Sequence, residues 1–363
     1  MRMDYLEIER FRGIQKLRLK NLGDVNLLLG DNDAGKTSVL EAIKLFESPY
    51  SIDAIVRNSR IRLMNMPFSR DSYTQLESLL DLFPFGKEYK YIALGAEIEK
   101  EYYSLTIEGE LDEVLRPVSE NELRGGLSFS RHRESVISEQ EVLTFFGRLS
   151  FCHESTSFEI DEFFRYRARQ INRFKVLYPI VYVAPGDHLF NRNFNSIFKM
   201  SRSQELEIVK LLRLIDEDIE GLKLQPNDVT KGTNQIIEHR LFGDIPLYTY
   251  GDGMKKILSL ASSVRSARNG VLLIDEIETS LQASNLRYVF RWLLDACRYF
   301  NVQLFVTTHS LESISALVRC AVEDSDSELA CYRLEKDLDQ VYAKRFSERD
   351  LNSLVNGRGI DVR

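Results

Sequence analysis

Gly30-Asp31-Asn32-Asp33-Ala34-Gly35-Lys36-Thr37 matches the pattern G-x-x-x-x-G-K-[ST]. The apolar run Val25-Asn26-Leu27-Leu28-Leu29 precedes it, and behind it Val39, Leu40, Ile43 and Phe46 recur at three- and four-residue spacing. A buried strand, a glycine loop and an amphipathic helix in that order are the context that separates a phosphate-binding loop from a chance match. Glycines let the backbone turn its N–H groups inward, and the helix N-terminus adds its positive end. Gly30, Asp31, Asn32, Asp33, Ala34, Gly35, Lys36, Thr37 and Ser38 are therefore expected to cradle nucleotide phosphates. Lys36 is expected to contact the β and γ phosphates, and the Thr37 hydroxyl to face Mg²⁺.

A nucleotide loop of this kind demands a second strand that ends in acid. Val271-Leu272-Leu273-Ile274-Asp275-Glu276 supplies it. Two carboxylates at the end of an apolar strand are too costly to bury without a use. Asp275 reads as the second Mg²⁺ partner and Glu276 as the group that polarises the attacking water. The next strand ends in Val306-Thr307-Thr308-His309-Ser310, which aims His309 at the γ-phosphate if the two strands are neighbours. The candidate catalytic set is thus Glu276, His309 and Lys36, with Thr37 and Asp275 at the metal and ATP and Mg²⁺ as the expected ligands.

The remaining sequence bounds what surrounds this centre. The 363 residues, 44% apolar and 28% charged, suffice for a large α/β domain and show no disordered bias. The N-terminus lacks the apolar core of a signal peptide, and no run approaches the roughly eighteen apolar residues of a membrane helix. A cytoplasmic protein without membrane contact is expected. Four cysteines without a C-x-x-C pair suggest buried, reduced thiols. The net charge of −7 leaves open a local basic groove.

Alternation at Leu6 to Glu9 and Leu17 to Lys20 predicts an antiparallel hairpin. Leu286, Val289, Phe290, Leu293, Leu294 and Cys297 form one stripe of a helix between two strands, a βαβ unit. Residues 1–57 are read as the first part of the head and 58–175 as an inserted subdomain. Residues 176–245 are read as a mostly helical lobe and 246–363 as the rest of the head. Within 58–175, strands are predicted near Tyr89 to Ile98 and Tyr103 to Gly109, and a helix near Ser72 to Phe83. No heptad pattern persists, which argues against a long coiled-coil arm.

The phosphate loop, Tyr250-Gly251-Asp252-Gly253-Met254, Leu273-Ile274-Asp275-Glu276 and Thr307-Thr308-His309-Ser310, in that order, resemble the ABC-type ATPase heads of the RecF, SMC and OLD families. The opening Leu6-Glu7-Ile8-Glu9-Arg10-Phe11-Arg12-Gly13-Ile14 is similar to the start of those heads. The whole looks most like the compact OLD-like ATPases of bacterial anti-phage loci. The resemblance implies an ATP hydrolase whose heads pair head-to-tail around two ATP molecules, a homo-oligomer of at least an ATP-linked dimer. It places Gly251, Asp252 and Gly253 at the signature loop that caps the γ-phosphate of the opposite subunit, with the glycine amides binding and Asp252 capping its own helix. Glu278-Thr279-Ser280-Leu281 follows the catalytic pair like the family's D-loop, although Gln282 stands where many members have histidine.

Two functions fit that resemblance: a switch for a separate effector protein in phage defence, or a RecF-like DNA-repair ATPase. The residues after Ser310 are too few for the roughly hundred-residue nuclease domain of larger OLD proteins, so any nucleolytic output is expected in trans. Arg165, Arg167, Arg169, Arg173 and Lys175, interleaved with Phe163, Phe164, Tyr166 and Phe174, form the candidate nucleic-acid surface. A solvated helix face with buried aromatics explains them equally well.

Overall fold

Strand β3 (Val25–Gly30), the apolar run before the phosphate loop, is buried along its whole length. It earns that burial by lying inside a six-stranded sheet, and the elements around it follow in chain order. They begin with β1 (Met3–Phe11), β2 (Ile14–Lys20), β3, α1 (Lys36–Leu45), α2 (Ile52–Ser59), α3 (Gln75–Leu80), β4 (Lys90–Ile98), β5 (Glu101–Ser119), β6 (Val136–Phe151), β7 (Glu154–Asp161), β8 (Tyr166–Ala168) and β9 (Ile180–Val183). They continue with α4 (Arg202–Leu212), β10 (Ile219–Asn227), β11 (Gly232–His239), β12 (Gly243–Pro246), α5 (Asp252–Ser266), β13 (Val271–Ile274), α6 (Leu286–Tyr299), β14 (Gln303–Thr307), α7 (Leu311–Val322), β15 (Leu329–Asp337) and β16 (Gln340–Ser347). This computed structural model describes residues 2–61, 75–86, 89–119, 136–162, 166–168, 176–190, 197, 201–227, 232–323, 328–337 and 340–347.

The six-stranded sheet has the order β16-β15-β3-β14-β13-β9. Strands β15, β3, β14, β13 and β9 are parallel, and β16 closes the edge antiparallel. Side chains alternate across it. Leu28, Leu273 and Phe305 enter one core with α1 and the N-terminal sheet, whereas Leu27, Leu29, Leu272, Ile274, Leu304 and Val306 enter a second with α5, α6 and α7. A sheet covered on both faces is why its strands read as unbroken apolar runs. The stripe on α6 is buried at all six predicted positions, and each large side chain so buried contributes about 2 kcal/mol.

The predicted hairpin is present: β1 and β2 pair antiparallel with Ile8 opposite Leu17. Its turn is fastened to the phosphate-loop helix by Arg12, whose Nε lies 2.7 Å from the buried Glu41 carboxylate on α1. The two sheets are stitched by Gln303, whose buried amide bonds both the N–H and the carbonyl of Met3 and the carbonyl of Gly23. Among the described residues no helix is long and apolar enough to cross a membrane.

The structure is α/β, as expected, but it builds the middle of the chain differently. Strands β4 to β8 do not fold apart from the head. They extend the hairpin into one seven-stranded antiparallel sheet, order β2-β1-β4-β5-β6-β7-β8. The lobe over 176–245 is not mostly helical either. It holds α4, with a Ser201–Gln204 capping box, a short 3₁₀ turn at Asp187–Phe190, and a three-stranded antiparallel sheet β10-β11-β12. Gly221 and Pro226 stop any helix there, and Leu222 and Leu224 alternate with Lys223 as a strand requires. Of the cysteines, Cys297, Cys320 and Cys331 are buried, whereas Cys152, expected to be, is exposed in the β6–β7 turn.

One glycine ties the phosphate loop to β15. Gly30 has φ +134°, and a β-carbon there would stand 2.3 Å from the carbonyl oxygen of Leu334. Gly30→Ala is expected to cost about 2 kcal/mol or more, seen as a lowered Tm in thermal unfolding. An unchanged Tm would mean that β15 yields to the methyl group without strain.

Candidate functional site

The loop after β3 rises into α1 through Gly35, which takes a left-handed φ of +93° and leaves the helix N-terminus without a side-chain cap. The first N–H groups of a helix have no acceptor inside it, so this end presents donors and the positive end of the dipole to whatever fills the loop. Asp33 also lies in the left-handed region, at φ +66°. Lys36, first residue of α1, is buried and donates to the carbonyls of Gly30 at 2.6 Å and Asp31 at 2.8 Å. Burial draws its ammonium below the ordinary lysine value, and the charges of Asp275, Asp31, Glu276 and Asp33 oppose that pull.

Across the sheet, β13 delivers Asp275 to the same place. Thr37 Oγ1 donates to Asp275 Oδ2 at 2.9 Å, Tyr182 donates to the same oxygen at 3.2 Å, and Thr307 Oγ1 donates to Asp275 Oδ1 at 2.6 Å. Thr307 also accepts the backbone N–H of Glu276 at 2.8 Å. The carboxylate of Asp275 is therefore fixed from helix α1 and from strands β9 and β14 at once. Glu276 is exposed and has φ +48°, an uncommon state for a residue with a side chain. Its Oε2 accepts from Thr279 Oγ1 at 3.3 Å. Strands β13 and β14 are neighbours, with Ile274 opposite Val306, so His309 follows on the loop beside the carboxylates. The His309 backbone N–H donates to Glu278 Oε1 at 2.9 Å.

These residues fit a nucleotide with a divalent cation. A hydroxyl and a carboxylate meet at 2.9 Å, oxygen donors of the kind Mg²⁺ prefers. Beside them stand a buried lysine and an open helix N-terminus for anionic oxygens.

Gly251, Asp252 and Gly253 lie elsewhere on this chain. Gly251 is the N-cap of α5, and Asp252 is not a cap but a first-turn residue paired with Lys255 at 3.5 Å. With Ile215, Ser280 and Leu281 these three line a cavity of about 260 Å³ to which no phosphate-loop residue contributes. The Gly251–Gly253 loop thus packs on the Ser280–Leu281 segment of its own chain. Leu241, Phe242 and Tyr248, just before it, are exposed. The basic and aromatic stretch 163–175 lies outside the described residues apart from the backbone of β8, and so do residues 324–327 of the acidic cluster. Tyr182 and His188 escaped the sequence reading. Thr307 was visible only as part of a motif.

A family model described as "AAA domain, putative AbiEii toxin, Type IV TA system" matches residues 25–315. The chain belongs to this family. The matched span holds the phosphate loop, the acidic strand and His309, so the AAA assignment covers every element of the site. A curated relative, the "ATP/GTP phosphatase" of Helicobacter pylori, is 21% identical over 335 residues, 86% of each chain. Among solved structures, an Smc head bound to the C-winged helix domain of ScpA aligns with TM-score 0.51 at 13% identity, covering 96% of this chain and 98% of that one. A recombination mediator RecF with ATP aligns with TM-score 0.45 at 13% identity, covering 95% and 99%. The Smc alignment establishes the fold of this AAA-family chain as that of an ATPase head.

Proposed function

We propose that this chain is a Mg²⁺-dependent ATP hydrolase that dimerises head-to-tail around ATP and switches a partner. The observation that carries the reading is the 2.9 Å bond between Thr37 of the phosphate loop and Asp275 of the acidic strand, with Lys36 and Glu276 as their chain neighbours. In this reading the glycine loop from Gly30 to Ser38 wraps the phosphates and Lys36 neutralises their β and γ oxygens. Thr37 and Asp275 would hold Mg²⁺, which supplies further charge neutralisation at those oxygens. Glu276 takes a proton from the water that attacks the γ phosphorus, the bond to the bridging β–γ oxygen breaks, and ADP and phosphate leave. His309 orients the γ-phosphate.

No phosphate-loop residue lines the cavity at Gly251 to Gly253, which supports a site completed in trans. In the pair, the amides at Gly251 and Gly253 would face the nucleotide of the other head. The exposed Leu241, Phe242 and Tyr248 beside that loop suit burial in such a contact. ATP binding closes the pair and hydrolysis opens it, a movement available to a separate effector or to a nucleic acid. The resemblance to OLD-like ATPases and a family whose description names a toxin and a toxin–antitoxin system support an anti-phage role.

Gly251 allows a clean test, since a β-carbon there meets nothing within 4 Å. Gly251→Trp should fold and bind ATP yet lose turnover, whereas Lys36→Ala should fold but lose both ATP binding and turnover. Mixing the two proteins should restore a fraction of wild-type turnover, because one composite site in each mixed pair is intact. Absence of that recovery, in a mixture shown by mass to exchange subunits, would refute the shared site.

A further inference from the structure

Strand β9 ends at Val183, and the chain continues into the 3₁₀ turn Asp187–Phe190, which packs on α5. The turn is pinned at its start, where Asp187 Oδ2 accepts the Ala184 N–H at 2.7 Å. It carries His188, which is only 2% exposed. A buried imidazole is stable only where its nitrogens find partners, and Nε2 shares a 2.9 Å hydrogen bond with Ser280 Oγ. Burial holds the ring below the ordinary histidine value and the charge of Lys256 pushes the same way, against Asp252 and the Pro185 carbonyl. The bond to Ser280 is thus made by a neutral ring.

Ser280 needs such a partner. It is exposed and has φ +67°, a left-handed backbone that core packing does not enforce. Thr279 joins it to the acid of the site: the Thr279 N–H donates to the Glu276 carbonyl at 3.1 Å, and Thr279 Oγ1 donates to Glu276 Oε2 at 3.3 Å. The Ser280 carbonyl abuts the start of α5, since a β-carbon at Gly253 would stand 3.1 Å from it. The stretch from β9 into the 3₁₀ turn therefore touches segment 275–280 at both ends, Tyr182 donating to Asp275 at 3.2 Å and His188 bonding Ser280. Glu276 lies between these contacts.

We propose that His188 is a positioning residue of the ATPase site, which holds the Glu276 carboxylate through the Ser280 turn and Thr279. The inference rests on the ATPase reading above and adds a group that acts on Glu276 at one remove. Tyr182 anchors one end of segment 275–280 and His188 the other, so the acid between them keeps one direction before nucleotide arrives. A hydrogen bond made by a buried ring to an exposed serine is what fixes the far end.

The test uses His188→Leu, which removes the bond, and His188→Gln, which keeps an amide nitrogen close to where Nε2 stands. Ser280→Gly removes the hydroxyl yet favours the left-handed backbone. His188→Leu and Ser280→Gly should each lower kcat about 10-fold or more while KM for ATP changes by less than about two-fold. His188→Gln should recover most of that loss. The double variant of His188→Leu and Ser280→Gly should be no slower than the slower single one, since both break the same bond. Wild-type kcat in His188→Leu would overturn the proposal, and so would a His188→Gln protein as slow as His188→Leu or losses that multiply in the double variant. Should the melting curve show that His188→Leu does not fold, Ser280→Gly decides alone, and an unchanged kcat rejects the role. Glu276→Gln is measured alongside: if it too turns over ATP normally, the fault lies in the ATPase reading and not in the role of His188.

Discussion

Replacing Lys36 by alanine is expected to reduce ATP turnover by about three orders of magnitude. The lysine is already aimed into the loop by the carbonyls of Gly30 and Asp31, so its charge is placed before any ligand arrives. Two other cations beside α1 are already engaged. Lys44 on α1 is engaged by Glu47 at 2.8 Å and by the carbonyl of Ile180, and Arg12 is engaged by Glu41. Exchanging a buried cation for a methyl group also removes a positive charge that Asp275 and Glu276 act on, which adds repulsion toward phosphate. Phosphate release by the purified variant, with a melting curve to show that it folds, measures the effect. Turnover within a few-fold of wild type in a clean preparation would remove the phosphate loop from the catalytic machinery.

How much of this was legible in the sequence depends on how far each signal reaches along the chain. The phosphate loop, the acidic strand and the stripe on α6 are local patterns, and each stands in the structure where its period placed it. The antiparallel sheet is different. β5 pairs with β6 from Leu105 opposite Phe151 to Ser119 opposite Val136, and its buried alternation at Leu105 and Ile107 fades into exposed residues such as Glu110 and Leu115. A strand half outside the core loses the alternation that betrays it. The prediction of a strand ending at Gly109 stopped where the buried alternation breaks off, to return only at Arg116 and Val118, whereas the hydrogen-bonded ladder continued.

The site shows the same division. Asp275 and Glu276 announce themselves as paired acids after an apolar run. Tyr182 and Thr307 reach Asp275 only because β9 and β14 flank β13 in a parallel register, and no local spacing encodes that. Lys256 stands beside Lys255 and belongs to none of the motifs. Its neighbour Lys255 is partly exposed, while Lys256 falls on the inward face among Ile257, Leu260 and Ala261. The phase of the helix carried that information, and a reading that tracked only apolar residues passed over it.

Glu276→Gln is expected to slow hydrolysis by about two to four orders of magnitude with ATP affinity retained. The glutamate follows the fixed Asp275 and is turned outward by its left-handed backbone, φ +48°, a conformation that costs about 1 kcal/mol or more to hold. Thr307 secures it from below by accepting its N–H, and Thr279 touches the carboxylate from the D-loop. Strain of this kind persists only where the surroundings over-determine it, and here Thr307 and Thr279 hold the exposed acid that follows β13. Glutamine fits the same space and hydrogen-bonds a water, but it does not take the water's proton. Binding should then proceed and the chemical step stall, so the ATP-closed pair should accumulate. Sedimentation with and without ATP reads this directly: the variant should shift to a heavier species that persists, whereas wild type should return to its starting state as ATP is consumed. A variant that hydrolyses at the wild-type rate and sediments unchanged would mean that the proton goes elsewhere and that the outward turn of Glu276 serves some purpose other than catalysis.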